Sequence, residues 1–108
     1  MDRDQAAVTV RDEPARNRYL ALLGDEVAGH LDYRPGEHER VFRHTVVQDG
    51  FQGKGVGSAL TRAALDDLRA KGLRVRPLCP FVASWISRHP GYLELVADDY
   101  RDHLPAGR

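Results

Sequence analysis

The chain predicts an α+β fold, and three observations carry that expectation. Four short runs with strand character open the sequence, a glycine-rich stretch FQGKGVGS follows at 51–58, and apolar residues then recur at helical spacing. A strand meander that passes into one strand–helix–strand crossover keeps its helices apart from most of its strands, which defines the class. At 108 residues, 42% hydrophobic and 30% charged, the composition is that of a single globular domain over 1–108. A chain of this size buries about two thirds of the surface its unfolded form exposes.

The first strand is expected in AAVTVRD at 6–12, which alternates weakly and meets Pro14. RYLALLGD at 18–25 is the second. Only the short PARN lies between them. Gly24-Asp25 separates the second run from a third at about 26–33, a hairpin signal. RPGEH at 34–38 reads as a turn, and RVFRHTVV at 40–47, rich in β-branched residues, as the fourth strand.

Behind the glycine loop, Val56, Leu60, Ala63, Ala64 and Leu68 follow i, i+4, i+7, i+8 and i+12, one face of a helix over about 56–71. Ser58, Thr61, Arg62, Asp66, Asp67 and Arg69 fall largely on the other face. Arg69 and Lys71 suit the last turn, and Gly72 suits the position just beyond it. LRVRPLCP at 73–80 is a fifth strand that must stop early, since Pro77 and Pro80 cannot donate to a ladder. FVASWISR at 81–88 predicts a second helix, anchored by Trp85 and Phe81 and closed by His89-Pro90. An apolar piece around Tyr92–Val96, a polar helical tail and a frayed PAGR complete the chain. Strands four and five flank a helix and must therefore run parallel.

Sixteen basic and sixteen acidic residues are interspersed, which argues against a nucleic-acid binder with one basic face. No apolar run approaches the roughly 20 residues of a membrane helix. The start, MDRDQAAVTV, lacks the apolar core of a targeting peptide, so a cytoplasmic protein, a monomer or weak dimer, is expected. The single cysteine, Cys79, excludes an internal disulfide, and the five scattered histidines suggest no metal site.

A strand, a glycine-rich turn and a helix N-terminus together form a general anion site, because unsatisfied N–H groups and the positive end of the helix dipole converge there. The stretch is not GxxxxGK[ST], since Lys54 is followed by glycine, and Gly53-Lys-Gly55-Val-Gly57 is not GxGxxG. Gln52, Gly55 and Gly57 do match the Gln/Arg-x-x-Gly-x-Gly/Ala signature of the GNAT acetyltransferase superfamily. Over residues 40–96, HTVV, the glycine loop, ALDDLRAKGLRVRPLCPFV and ISRHP resemble the small single-domain GNAT-like proteins of about this length, which lack much of the N-terminal helical region of larger relatives.

That resemblance implies a GNAT-type mixed sheet and an N-acetyltransferase that takes acetyl-coenzyme A and an unidentified amine acceptor, a small molecule or a protein. It implies that the backbone of Gln52, Gly53, Lys54, Gly55, Val56, Gly57 and Ser58 wraps the pyrophosphate. The pantetheine arm would lie along Thr45, Val46 and Val47, between strands four and five. Cys79 would lie near the thioester as nucleophile, as proton donor to the leaving thiolate, or as a packing residue. Larger relatives often use a tyrosine after strand five as the acid, and FVASWISR has none. His44 is the candidate base, from its place on strand four and the titration range of imidazole. Arg88 and Lys54 are candidates for the nucleotide end, or simply solvated cations. Two other readings are a coenzyme A-binding module with little or no catalysis and a structural or interaction domain of the same fold.

Overall fold

Tight reversals join the first four strands, which pair antiparallel in sequence order. In the computed structural model, which describes residues 8–105, these are β1 (Val8–Glu13), β2 (Arg18–Leu23), β3 (Glu26–Pro35) and β4 (Glu39–Val47). A helix α1 (Val56–Lys71) crosses over to β5 (Arg74–Pro77), which lies parallel to β4 and completes the sheet order β1-β2-β3-β4-β5. This is the expected α+β architecture with a mixed sheet. A second helix, α2 (Pro80–Arg88), is followed by two 3-10 segments, Pro90–Leu95 and Asp98–His103.

Several boundaries differ from expectation for local reasons. β3 runs on to Pro35, where a missing N–H is harmless at the strand's end. β5 is shorter than expected and stops at Pro77, and Pro80 takes the first position of α2, where its missing donor costs nothing. The tail forms 3-10 turns instead of an α-helix. Between them Val96 makes a parallel bridge to Val75, and the Ala97 N–H donates to the Val75 carbonyl at 2.9 Å. The expected strand start at Ala6 and Ala7 and the expected fraying over 106–108 lie outside the described residues.

Both helices pack on one face of the sheet. Tyr19, Ala21, Leu31 and Phe42 from the strands meet Leu60, Ala64 and Leu68 of α1 and Trp85 and Ile86 of α2 in a single core. Strand alternation sends Tyr19 and Leu31 inward and turns their neighbours Arg18, His30 and Asp32 to the uncovered face. On α1 the expected apolar stripe is buried at Val56, Leu60, Ala64 and Leu68 and widened by Leu65 and Thr61, while Ala63 is only half-buried at its edge. Thr61 is fully buried rather than exposed. Its hydroxyl donates to the Gly57 carbonyl at 2.9 Å, so the polar atom is satisfied within its own helix. Among the described residues no helix is long and apolar enough to cross a membrane.

Candidate active site at the gap between strands four and five

The site begins with a fault in a ladder. Asp32 pairs with His44 and Tyr33 pairs with Phe42, so Arg43 is an extra residue in β4. Such a bulge bends its strand and increases the local twist. Pairing with β5 ends at the same place, at Phe42 and Pro77, and the Cys79 N–H closes that end by donating to the Phe42 carbonyl at 3.0 Å. From Arg43 to Val47, β4 therefore keeps β3 on one side and has an open edge on the other. The Gln48 N–H donates to Ala28 of β3. By alternation the amides of Val46 and His44 also face β3, and those of Thr45 and Val47 face the gap.

Side chains divide the same way. Thr45 and Val47 look toward the helices, and the Thr45 Oγ1 lies 3.3 Å from the Cys79 Sγ. Cys79 is 4% exposed, at the inner end of the gap. His44 and Val46 stand exposed on the far face, opposite Asp32 and His30. The two residues picked out for chemistry are thus on opposite sides of the sheet. The Thr45–Cys79 pair escaped sequence reasoning, because only the bulge puts Thr45 in phase with the core.

The glycine loop leads into α1 without a cap. Gly55, at the N-cap, has φ 77° and no side chain bonds the first turn. The first intrahelical bond runs from the Ala59 N–H to the Gly55 carbonyl at 3.0 Å, which leaves the N–H groups of Val56, Gly57 and Ser58 ahead of it. These are orphan donors at the positive end of a 16-residue helix. Gly53, with φ 79°, and Gly55 occupy the left-handed region that only glycine enters freely. Gly57 has a different reason: a Cβ there would meet the Phe81 ring at 3.0 Å.

Phe81 does not anchor α2 as expected. It is 42% exposed and with Val47, Phe51 and Val56 makes the apolar wall of a recess of about 300 Å³ beneath the loop. Gly57, the second residue of α1, is the signal that a ring needed room. A second recess of about 340 Å³, lined by Val8, Lys54, Ser58 and Arg62, flanks the loop on its other side. The remaining loop side chains are turned to internal work. Gln52 accepts from the Gly50 N–H at 3.0 Å, Ser58 accepts from the Trp85 Nε1 at 2.9 Å, and Val56 is buried, leaving its backbone. Arg88 donates to Ser84 of its own helix. His89 stacks on Trp85 and donates from Nδ1 to the Trp85 carbonyl at 2.7 Å, a helix-end role.

A second polar cluster, also missed in the sequence, sits at the other end of α1. Arg40 Nη1 donates to Asp12 at 3.0 Å and to the Tyr19 hydroxyl at 2.6 Å. Tyr33 donates to Asp12 at 2.6 Å, Tyr19 to Asp67 at 2.7 Å, and Lys71 to both carboxylates. Burial raises the Asp12 carboxyl, but hydrogen bonds from Tyr33, Lys71 and Arg40 outweigh it and hold the group below its ordinary value. Burial and the bond to Asp12 push the Tyr33 hydroxyl up to about 12. Its partners come from β1, β2, β3, β4 and α1, brought together only by folding.

Comparison with known proteins agrees with this anatomy. Ard1 from Thermoplasma volcanium superimposes with a TM-score of 0.50 at 25% identity, over 56% of this chain and 43% of that one, so less than half of that protein is represented here. No curated protein matches the chain. Residues 18–95, from β2 through the first 3-10 segment, match the model of the GCN5-related N-acetyl-transferase family. That span holds the bulged β4, its open edge, the uncapped glycine loop and the crossover to β5, and the chain belongs to the GCN5-related N-acetyltransferase family.

Proposed function

We propose that this protein binds acetyl-coenzyme A along the open edge of β4 and under the glycine loop, and transfers the acetyl group to an amine. The observation that carries the reading is the apolar recess under the uncapped start of α1, whose walls include Val47 and Phe81, each two residues beyond a member of the Thr45–Cys79 pair. Acetyl-coenzyme A supplies an activated acetyl group as a thioester. The backbone of Gln52, Gly53, Lys54, Gly55, Val56, Gly57 and Ser58 holds its pyrophosphate, and Thr45, Val46 and Val47 hold the pantetheine arm. Val46 contributes only its exposed side chain, since its amide faces β3.

At the inner end the gap-facing N–H of Thr45 polarises the carbonyl, a contribution of roughly 3 kcal/mol for one preorganised donor. Cys79 delivers a proton to the leaving thiolate, with Thr45 beside it. A thiol so little exposed, and hydrogen-bonded to Thr45, is poorly disposed to carry an acyl group to an acceptor on the far face, which favours the acid role over the nucleophile. His44 stands on that far face and takes the proton from the incoming amine. Acid and base act on different molecules, so their separation by the sheet is a working arrangement.

Thermal melting with and without coenzyme A tests the binding step. Ligand at about 100 times its dissociation constant adds roughly 2.7 kcal/mol, a rise of about 10 °C or more for a domain of this size. An unchanged melting temperature at millimolar ligand removes coenzyme A from the reading. Cys79→Ala is expected to slow transfer by about a hundredfold while keeping the melting shift. A stable acetyl adduct on Cys79 by mass spectrometry, in an enzyme that turns over, would replace the acid with a nucleophile.

A further inference from the structure

The uncovered face of the sheet carries a charge imbalance that the net charge of zero conceals. Strand register puts Arg11, Arg18, Arg34, Arg43, Arg74 and Arg76 on that face, against the strand carboxylates Glu13, Asp32 and Glu39. Most of these arginines are matched. Glu13 takes Arg18 at 2.7 Å and Arg11 at 3.9 Å. Glu39 and Asp99 hold Arg76, and Asp98 holds Arg74. Asp32 lies 3.7 Å from His30. Arg34 and Arg43 are left exposed and without a carboxylate partner among the described residues.

Their position matters as much as their charge. Arg34 is registered opposite Val41, and Arg43 is the bulged residue beside His44, where β4 parts from β5. Arg43 stands at the far mouth of the gap and Arg34 on β3 just before the gap opens, both on the side opposite the glycine loop, from which an acceptor must come if the helix side holds the donor. Among the described residues no α-helix covers this face, the 3-10 segment Asp98–His103 meets it at Arg74 and Arg76 of β5, and a small molecule gains little enclosure on an open strand surface. A peptide lying across strands makes use of it.

We propose that the acceptor is an acidic peptide segment, whose carboxylates pair with Arg34 and Arg43 while its amine enters the gap beside His44. The inference rests on the reading above for the direction of approach, but its test does not require turnover. A fluorescently labelled peptide with one lysine among glutamates is titrated with the protein, in parallel with a counterpart in which serine replaces glutamate. The acidic peptide is expected to bind at least about tenfold more tightly, with the difference shrinking as salt rises.

Arg34→Gln with Arg43→Gln should abolish the preference, and Arg34→Glu with Arg43→Glu should invert it. Both side chains are exposed, so melting temperature and its shift with coenzyme A should stay unchanged in either double variant. Equal binding of the two peptides, or an acidic preference that survives in the reversed variant, overturns the proposal. With acetyl-coenzyme A present, equal acetylation of the acidic peptide and of ethanolamine also overturns it. Loss of the coenzyme A shift in the unmodified protein would instead count against the donor site, and leave the peptide titration to be read by itself.

Discussion

The two ends of α1 treat hydrogen-bonding groups in opposite ways. At the C-terminal end the Gly72 N–H bonds Arg69 and the Leu73 N–H bonds Leu68, a Schellman closure. Beside it Asp12, Asp67, Arg40, Lys71 and two tyrosines satisfy one another. At the N-terminal end no side chain caps the helix, and Gln52 and Ser58, which have the chemistry to do so, are bonded elsewhere. Among the described residues no buried side-chain nitrogen or oxygen lacks a partner, so open donors are not general carelessness. Where the fold needs holding together, polar groups meet inside the chain. At the loop, the backbone donors point outward.

The sharpest way to break the closed end is Arg40→Ala. Arg40 is 13% exposed and lies between Asp12, Tyr19 and Tyr33, and removing it leaves Lys71 alone to balance two carboxylates and takes away the donor to the Tyr19 hydroxyl. A loss of about 3 kcal/mol is expected in urea unfolding, with the coenzyme A shift intact because the loop is untouched. Gly55→Ala attacks the open end. A side chain at φ 77° costs about 1–2 kcal/mol, and the displaced amides should also weaken coenzyme A binding, visible as a smaller melting shift. A stability loss without any change in the ligand shift would separate the loop from the donor site.

Ser58→Ala is milder. It removes the acceptor of the Trp85 indole N–H, whose ring is nearly fully buried, and is expected to cost about 1 kcal/mol. The pH dependence of stability is a final, smaller test of the closed end. Because the folded carboxyl of Asp12 is held below 3.8, its contribution is present above that value and is lost as pH falls through the depressed one. Because folded Tyr33 is raised from 10.0 to about 12, its contribution is complete below pH 10.0 and disappears as pH rises through about 12. Denaturant midpoints across pH should therefore form a plateau whose acid shoulder is weakened in Arg40→Ala, because Arg40 helps to depress Asp12, while the alkaline shoulder moves to higher pH, because the Arg40 charge opposes the rise of Tyr33.

The contrast also explains what could be read from the chain. The period of Val56, Leu60, Ala64 and Leu68 and the runs around RYLALL and RVFRHTVV are local patterns, and they gave the elements, their order and the parallel crossover. The loop was legible because glycines at 53, 55 and 57 serve backbone geometry and close packing, which leave a mark in the sequence. Asp12, Tyr19, Tyr33, Arg40, Asp67 and Lys71 span 59 positions between Asp12 and Lys71, and nothing local joins them. Phe81 read as a core residue because its spacing to Trp85 is helical, yet it stands at the rim where the helix overhangs the recess. Thr61 read as polar and therefore exposed, since an i to i−4 hydroxyl bond leaves no sequence trace. Thr45 could not be matched to Cys79 without the position of the bulge.

Arg43 shows how much one inserted residue can govern. Strand alternation alone would turn Phe42 and Thr45, three positions apart, to opposite faces, yet both look toward the helices. The insertion acts as a half-step in the phase of the strand. Delete it, and Phe42 and Thr45 stand two positions apart: the pairings with β3 and the faces of Thr45, Val47, His44 and Val46 are all kept, and what is lost is the bend and extra twist of β4 at the place where its pairing with β5 ends. One residue thus sets the course of the strand, and with it whether β4 keeps a neighbour or an open edge.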